Sequence, residues 1–99
     1  MRRRRVVFAT RARDDLLDLF DWIAGRAGSD VAHGYLDRLE RFCRDLELAS
    51  ERGQLRDDVA PGLRIVGFER RVTVAFRVLP DHVVIVALHY GGRNWDRSN

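Results

Sequence analysis

Two amphipathic segments separated only by Gly28 and Ser29 constrain the fold of this chain more than any other feature. Apolar side chains recur at i, i+4 and i+7 through both segments, which is the spacing of an α-helix that buries one face. Glycine favours the end of a helix and serine the start of one, so the short junction predicts an antiparallel helical hairpin. The first stripe consists of Leu16, Phe20, Ile23, Ala24 and Ala27, widened by Leu17 and Leu19, and the second of Ala32, Tyr35, Leu36, Leu39, Phe42, Cys43 and Leu46, with that helix running to about Ala49.

Short apolar segments on both sides of the hairpin predict β-strands. One strand precedes the hairpin, and three follow a polar loop at residues 50–62. Together these elements predict an α+β fold in the order β-α-α-β-β-β, a two-layer sandwich with a C-terminal three-stranded antiparallel meander and one domain over residues 1–99. The predicted strands cover residues 3–9, 63–68, 71–79 and 82–89.

Local signals refine these elements. Thr10 is the expected N-cap of the first helix, and Asp14 and Asp15 are expected near its positive end. The strand at 71–79 alternates, which predicts Val72, Val74, Phe76 and Val78 on one face and Arg71, Thr73, Ala75 and Arg77 on the other. The strand at 82–89 is almost continuously apolar, which is typical of a central strand.

Charge is distributed unevenly along the chain. All 18 basic residues are arginine, so any contact with a phosphate or carboxylate must use a guanidinium. Residues 1–13 carry six arginines and no acid, residues 14–62 carry twelve acids and six arginines, and residues 63–99 carry six arginines and three acids. We therefore expect an anionic partner to meet the ends of the sequence.

The sequence indicates a cytoplasmic protein. Cys43 is the single cysteine, so no internal disulfide can form. The apolar run at 6–9 is too short for a secretion signal, and the run at 83–88 is too short to cross a membrane. No glycine-rich phosphate loop, nucleophile elbow or Cys/His metal spacing is present, so we expect no cofactor and no metal.

The end of the last strand is the candidate site, because it combines an imidazole, aromatic rings and arginine. Antiparallel pairing is expected to place Arg71 across from this end and Arg77 near the far end of the neighbouring strand. Such a group could hold a phosphodiester; alternatively, the aromatic rings pack on the sheet edge and the arginines are solvated. Its members are His89, Tyr90, Arg93, Asn94 and Trp95.

In its element order and in several motifs, the whole chain resembles the RelE/ParE family of toxin–antitoxin toxins, and its ParE-like branch in particular. Residues 12–16 and 20–24 resemble the first-helix pattern of ParE-type members. The other matching motifs are Pro61-Gly62-Leu63-Arg64 at the start of the meander, Phe76-Arg77-Val78 within it, and residues 86–95 at its end.

The resemblance implies a toxin with a role in plasmid stabilization, silenced in a hetero-oligomer with a cognate ParD-like, DNA-binding antitoxin. It leaves two activities open: inhibition of DNA gyrase, as in ParE-like members, and ribosome-dependent mRNA cleavage, as in RelE-like members. Nuclease members often use lysine, which is absent here, so we expect gyrase inhibition rather than an enzyme. For a nuclease, the candidates are Tyr90, His89, Arg71 and Arg93.

We expect two binding surfaces from this resemblance. For the target, we expect Arg93, Asn94 and Trp95, supported by Arg71 and Arg77, with the Arg2–Arg5 cluster as the alternative. For the antitoxin, we expect Leu17, Leu19 and Trp22 together with a sheet edge, unless Trp22 only covers the end of the sheet. A third hypothesis is a protein that binds nucleic acid and has no toxin activity, but the acid-rich helices disfavour it.

Overall fold

The helical hairpin and the meander are both present in the computed structural model, which describes residues 5–48 and 52–90. The hairpin lies on one face of a mixed sheet, and the fold is α+β, as predicted. The helices are α1 (Thr10–Ala27) and α2 (Ser29–Arg44), and a 3₁₀ turn follows at Asp45–Glu47. The strands are β1 (Arg5–Phe8), β2 (Gln54–Leu55), β3 (Leu63–Phe68), β4 (Val72–Val78) and β5 (His82–Tyr90).

Strand β5 lies between β1 and β4 in the described sheet, whose order is β1-β5-β4-β3-β2. β1 runs parallel to β5, and the other neighbours are antiparallel. The apolar run of β5 therefore reflects a strand with a neighbour on each side. The short strand β2 was not predicted, because two residues inside a polar loop carry no periodic signal.

A β-bulge adjusts the register between β4 and β5. Ala75 pairs with Ala87 whereas Phe76 pairs with Ile85, so Val86 is an extra residue on β5. The insertion lies just beyond the point where β1 ends, since Phe8 is paired with Ile85. A β-bulge increases the local twist of its strand. In β5 it lies where the neighbour of the strand changes from β1 to α1.

The buried face of α1 is rotated relative to the prediction. Ala12 and Leu19 are its buried residues, and Leu19 is only 2% exposed, whereas Ala27 is exposed. Leu19, which the sequence assigned to an antitoxin-binding surface, is therefore a core residue in this structure. The physical reason is that α1 packs against β5 and α2 at once, so its buried face is wider than the narrow stripe read from the sequence.

The buried face of α2 agrees with the prediction. Its stripe packs against the sheet around Phe76, and the helix ends at Arg44, before the expected residue 49. The buried members are Ala32, Tyr35, Leu39 and Cys43 in α2 and Leu46 in the turn that follows.

Neither Thr10 nor Ser29 caps a helix. Each is the first helical residue, the N-cap positions are Ala9 and Gly28, and neither cap makes a side-chain hydrogen bond. The N–H of Ala9 donates to the C=O of Ile85 at 2.9 Å, so the N-cap residue of α1 is also the last residue hydrogen-bonded to β5 from the β1 side. Gly28 ends α1 as predicted, with φ at 97°.

Two glycines provide a test of this backbone. Gly25 lies in α1, and an added Cβ would meet no atom within 4 Å. We expect Gly25→Ala to raise the free energy of unfolding by about 0.5–1 kcal/mol, because alanine loses less backbone entropy in a helix. Gly53 has φ at +88°, and its Cβ would collide with the carbonyl oxygen of Ile65.

We therefore expect Gly53→Ala to lower the free energy of unfolding by more than about 1 kcal/mol. Urea unfolding of both variants measures these changes. A loss of stability in Gly25→Ala would contradict an exposed helical position.

Candidate binding surfaces

Asp15 joins α1 to the edge of β5. Its largely buried carboxylate accepts a hydrogen bond of 2.9 Å from the backbone N–H of Leu88. This contact lies beyond the end of β1, so a side chain of α1 takes the position that a strand would otherwise occupy. The expected role of Asp15 at the positive end of the helix is replaced by this contact, because Asp15 lies outside the first turn.

The same edge brings Arg11 to the last strand. Arg11 Nε lies 3.8 Å from Asp15 Oδ2, and its Nη2 lies 3.3 Å from His89 Nε2. Position and orientation of the end of β5 are thus fixed by the first turns of α1.

His89 and Tyr90, two of the predicted site residues, project to opposite faces of β5, because successive strand residues alternate. Tyr90 pairs with the buried Val72 and lies on the helix-covered face, with its ring centroid 5.4 Å from that of Trp22. His89 projects to the other face, beside Arg11 at the sheet edge. The structure therefore does not direct the two side chains to one point.

Trp22 links α1 to the exit of β5 and is also accessible. It contacts Tyr90 on one side, and the guanidinium of Arg26 lies 4.6 Å from its ring centroid. Its side chain nevertheless remains 38% exposed. Trp22 thus covers the end of the sheet and still offers surface to a partner.

The turn between β3 and β4 is fixed to α2 at this same end of the molecule. Glu69 and Arg70 form it with positive φ values of 49° and 60°. Arg38 donates two hydrogen bonds to the Glu69 carboxylate, at 2.9 and 3.2 Å, and this pairing lowers the pKa of Glu69. Arg38 also lies over the ring of Tyr35, whose pKa is raised by burial.

Arg71 and Arg77 lie at opposite ends of β4. Arg71 directly precedes Val72, which pairs with Tyr90, whereas Arg77 pairs with Val84. Six residues of strand separate them by about 20 Å. Arg71 therefore belongs with the end of β5, and Arg77 does not.

We call the surface around this end the basic end; it is formed by the exposed residues Trp22, Arg26, Arg70 and Arg71 and by the partly buried Tyr90. Arg26 contacts Trp22, and Trp22 contacts Tyr90, whose strand neighbour is Val72. Arg70 and Arg71 are exposed in the turn just before β4. Trp22 and Arg26 are members that the sequence did not assign to the target site, since their proximity depends on the direction of α1. The predicted residues Arg93, Asn94 and Trp95 lie outside the described part of the chain.

The outer side of the hairpin has the opposite charge. Residues 14–44 contain seven acids and four arginines. Arg26 and Arg38 are turned towards Trp22 and Tyr35 at the flanks, and Arg44 lies 3.6 Å from Glu40. Leu17 projects from this side and is 66% exposed. We call this surface the acidic face; its exposed carboxylates are Asp14, Asp18, Asp21, Asp30, Asp37 and Glu40.

Leu17 and Trp22 do not form one patch. Five helical residues separate them by about 140° around α1. Leu17 lies on the acidic face, and Trp22 lies on the flank that packs against β5. The predicted antitoxin surface is thus divided between two sides of the helix.

Cys43 is not positioned as a nucleophile. It is buried, and burial raises the pKa of its thiol to about 12. Within residues 5–48 and 52–90, no three His, Cys, Asp or Glu side chains are grouped so that they could hold a metal ion. None of the described helices combines the length and hydropathy needed to span a membrane.

Comparison with known proteins identifies the family. The sequence model described as the ParE toxin of the type II toxin–antitoxin system parDE matches residues 6–95. The chain belongs to this family. A sequence comparison with curated proteins gives no match.

Solved structures share the ParE-family fold seen here. A chain of the chromosomal ParDE system from P. aeruginosa aligns with a TM-score of 0.77 and 20% identity, over 88% of this chain and 95% of that chain. A chain of the toxin–antitoxin complex RelBE2 from Mycobacterium tuberculosis aligns with a TM-score of 0.67 and 24% identity, over 94% and 97% respectively. At these identities the likeness shows the fold.

The role of Asp15 can be tested directly. We expect Asp15→Ala to lower the free energy of unfolding by about 1–3 kcal/mol, because the N–H of Leu88 loses its acceptor. Asp18→Ala is the matched control, because Asp18 is exposed on the same helix, and its effect should stay within about 0.5 kcal/mol. Chemical denaturation measures both, and equal effects would show that the hydrogen bond contributes nothing.

Proposed function

We propose that this chain is the toxin of a type II toxin–antitoxin pair, that it inhibits DNA gyrase, and that an antitoxin neutralises it by binding the helical hairpin. The observation that carries the proposal is the match to the ParE family over residues 6–95. The resemblance leaves two activities open, gyrase inhibition and mRNA cleavage. The charge and geometry of the described residues favour gyrase inhibition.

The geometry of β5 favours an inhibitor over a nuclease. RNA cleavage needs a base, an acid and a cation around one phosphate. Tyr90 packs on Trp22, and His89 projects to the other side of the sheet, so these two candidates do not converge. The chain has no lysine, and a guanidinium is a poor acid because it does not lose its proton at neutral pH.

The basic end is the proposed target-binding surface. It combines exposed arginines with an exposed tryptophan, and these are the residue types that contribute most to protein interfaces. The Arg38–Glu69 pair links the turn that carries Arg70 and Arg71 to α2. A turn that is ordered before binding lowers the entropy cost of association. Arg93, Asn94 and Trp95, which follow β5 in the sequence, stay part of the proposed target-binding set.

The acidic face is the proposed antitoxin-binding surface. The similar chains from P. aeruginosa and M. tuberculosis come from toxin–antitoxin systems. An amphipathic segment with basic residues would cover Leu17 with an apolar side chain and pair with the surrounding carboxylates. The target and the antitoxin would then select surfaces of opposite charge.

Target choice can be tested with a matched pair of variants. We expect the purified protein to block supercoiling by DNA gyrase and to leave ribosome-bound mRNA intact. Arg71→Glu should weaken gyrase inhibition at least tenfold, because it reverses a charge in the basic end, while Arg77→Glu at the other end of β4 should change it less than twofold. Ribosome-dependent mRNA cleavage without any effect on supercoiling would overturn the proposed activity.

Antitoxin binding can be tested at Leu17. We expect Leu17→Ala to raise the dissociation constant of the antitoxin complex about tenfold, which corresponds to about 1.4 kcal/mol. The unfolding transition of the free toxin should not change, because this side chain is mostly exposed. Leu55→Ala is the control, because Leu55 is 47% exposed on β2, away from the hairpin. Equal affinity of both variants for the antitoxin would place the docking surface elsewhere.

A further inference from the structure

The turn between β3 and β4 has a backbone conformation that its own residue types disfavour. Glu69 and Arg70 have φ values of 49° and 60°, and within the described chain they are the only residues other than glycine with positive φ. The N–H of Arg71 donates to the C=O of Phe68 at 3.1 Å, which closes the turn. Positive φ at both central positions characterises the type I′ turn, which glycine, asparagine and aspartate normally adopt. Glutamate and arginine at these positions therefore carry backbone strain.

The side chain of Glu69 has a structural role that accounts for its position. Its carboxylate accepts two hydrogen bonds from Arg38 of α2, at 2.9 and 3.2 Å. Arg38 also lies over the ring of Tyr35, and Tyr35 packs on Phe68 with ring centroids 5.5 Å apart. These contacts connect the tip of the hairpin and the end of β3 to α2, so the turn is held in one place.

Arg70 has no such role within the chain. It is exposed, and its side chain forms no hydrogen bond, ion pair or ring contact with residues 5–48 and 52–90. Glycine at this position would remove the strain, so nothing in that part of the chain requires an arginine. Strain of this kind persists where function uses the side chain, and an exposed, unpaired cation at a strained position therefore indicates a binding role.

The chemistry of the tip favours an anionic group of a protein as the partner of Arg70. A guanidinium is permanently charged and pairs with a carboxylate through its planar fork. Glu69 is the one acid of the turn at residues 69–71, and Arg38 already binds it, so the charges of Arg70 and Arg71 are left without a counter-charge in the turn. Binding to a nucleic acid draws on many phosphate contacts, and a hairpin tip offers only two cations.

We propose that Arg70 anchors the toxin on its target by pairing its guanidinium with a carboxylate of the target protein. This inference rests on the proposed function of the basic end and assigns that surface its partner group. Arg38 and Glu69 are positioning residues, because they hold the turn at whose tip Arg70 lies. The strain at Arg70 is then a loss of stability that is retained for binding.

Replacing Arg70 by glycine separates binding from stability, because the two should change in opposite directions. Arg70→Gly removes the strain and should raise the urea midpoint of unfolding. The same change should weaken inhibition at least tenfold, both in a supercoiling reaction with purified gyrase and in cells with titrated expression. Arg41→Gln is the matched control, since it removes an exposed arginine from α2 and should change inhibition less than twofold.

The positioning role is tested by exchanging the ion pair. Arg38→Glu should weaken inhibition, because two carboxylates then repel each other and the turn is released. Adding Glu69→Arg re-forms the pair in reverse and should restore most of the inhibition. Failure of the exchanged pair to restore inhibition, in a variant that folds normally, would overturn the positioning role.

The outcomes for Arg70 are distinct from those for the proposed activity. Full inhibition by Arg70→Gly, or a lower urea midpoint in this variant, would overturn the anchor. Binding of labelled duplex DNA by the wild type that is lost in Arg70→Gly would assign the guanidinium to a phosphate and overturn it too. Growth arrest without gyrase inhibition, abolished by Arg70→Gly, would leave the anchor standing and remove gyrase as its target. A wild type that does not arrest growth would overturn both.

Discussion

The change of neighbour along β5 is the constraint on which the rest of this structure depends. Its first half is paired with β1, and beyond Ile85 the carboxylate of Asp15 accepts the hydrogen bond from Leu88. A buried N–H without an acceptor is costly, so this contact fixes α1 alongside the strand. α1 then directs Trp22 onto Tyr90, and the hairpin returns α2 over the sheet to the turn that Arg38 holds. The path of the two helices therefore determines where the basic end and the acidic face lie.

The spacing of apolar residues predicted the features of the fold that depend on local sequence. The hairpin, the bounds of β3 and the buried stripe of α2 all follow from the spacing of apolar residues. The same spacing did not predict features that depend on contacts between distant parts of the chain. The burial of Leu19 depends on α1 packing against two neighbours. α1 begins at Thr10 itself, so Ala9, whose N–H donates to Ile85, takes the N-cap position expected for Thr10. We expected Asp15 to stabilise the positive end of its own helix. Nothing in the local pattern indicates its hydrogen bond to Leu88, which lies 73 residues further along the chain.

The candidate site was predictable only as a set of residue types. Register placed Arg71 at the end of β5, as the antiparallel meander required. The sequence could not show that Trp22 and Arg26 join this end, since they belong to a different element and reach it through the direction of α1. Nor could it show that Leu17 and Trp22 are divided between two sides of one helix. Three-dimensional direction, and not residue type, decides which side chains share a surface.

The arginine-only composition makes charge a fixed property of these surfaces. A guanidinium stays protonated across the physiological range, so the charge of the basic end cannot be switched off by pH. Histidine is the only side-chain type in the chain whose ordinary pKa lies near neutrality, and His89 projects away from Tyr90. Permanent cations suit recognition of a negatively charged surface, whereas proton transfer needs a group that can lose its proton. The chemistry of the side chains thus supports the proposed inhibitor on the same grounds as their placement.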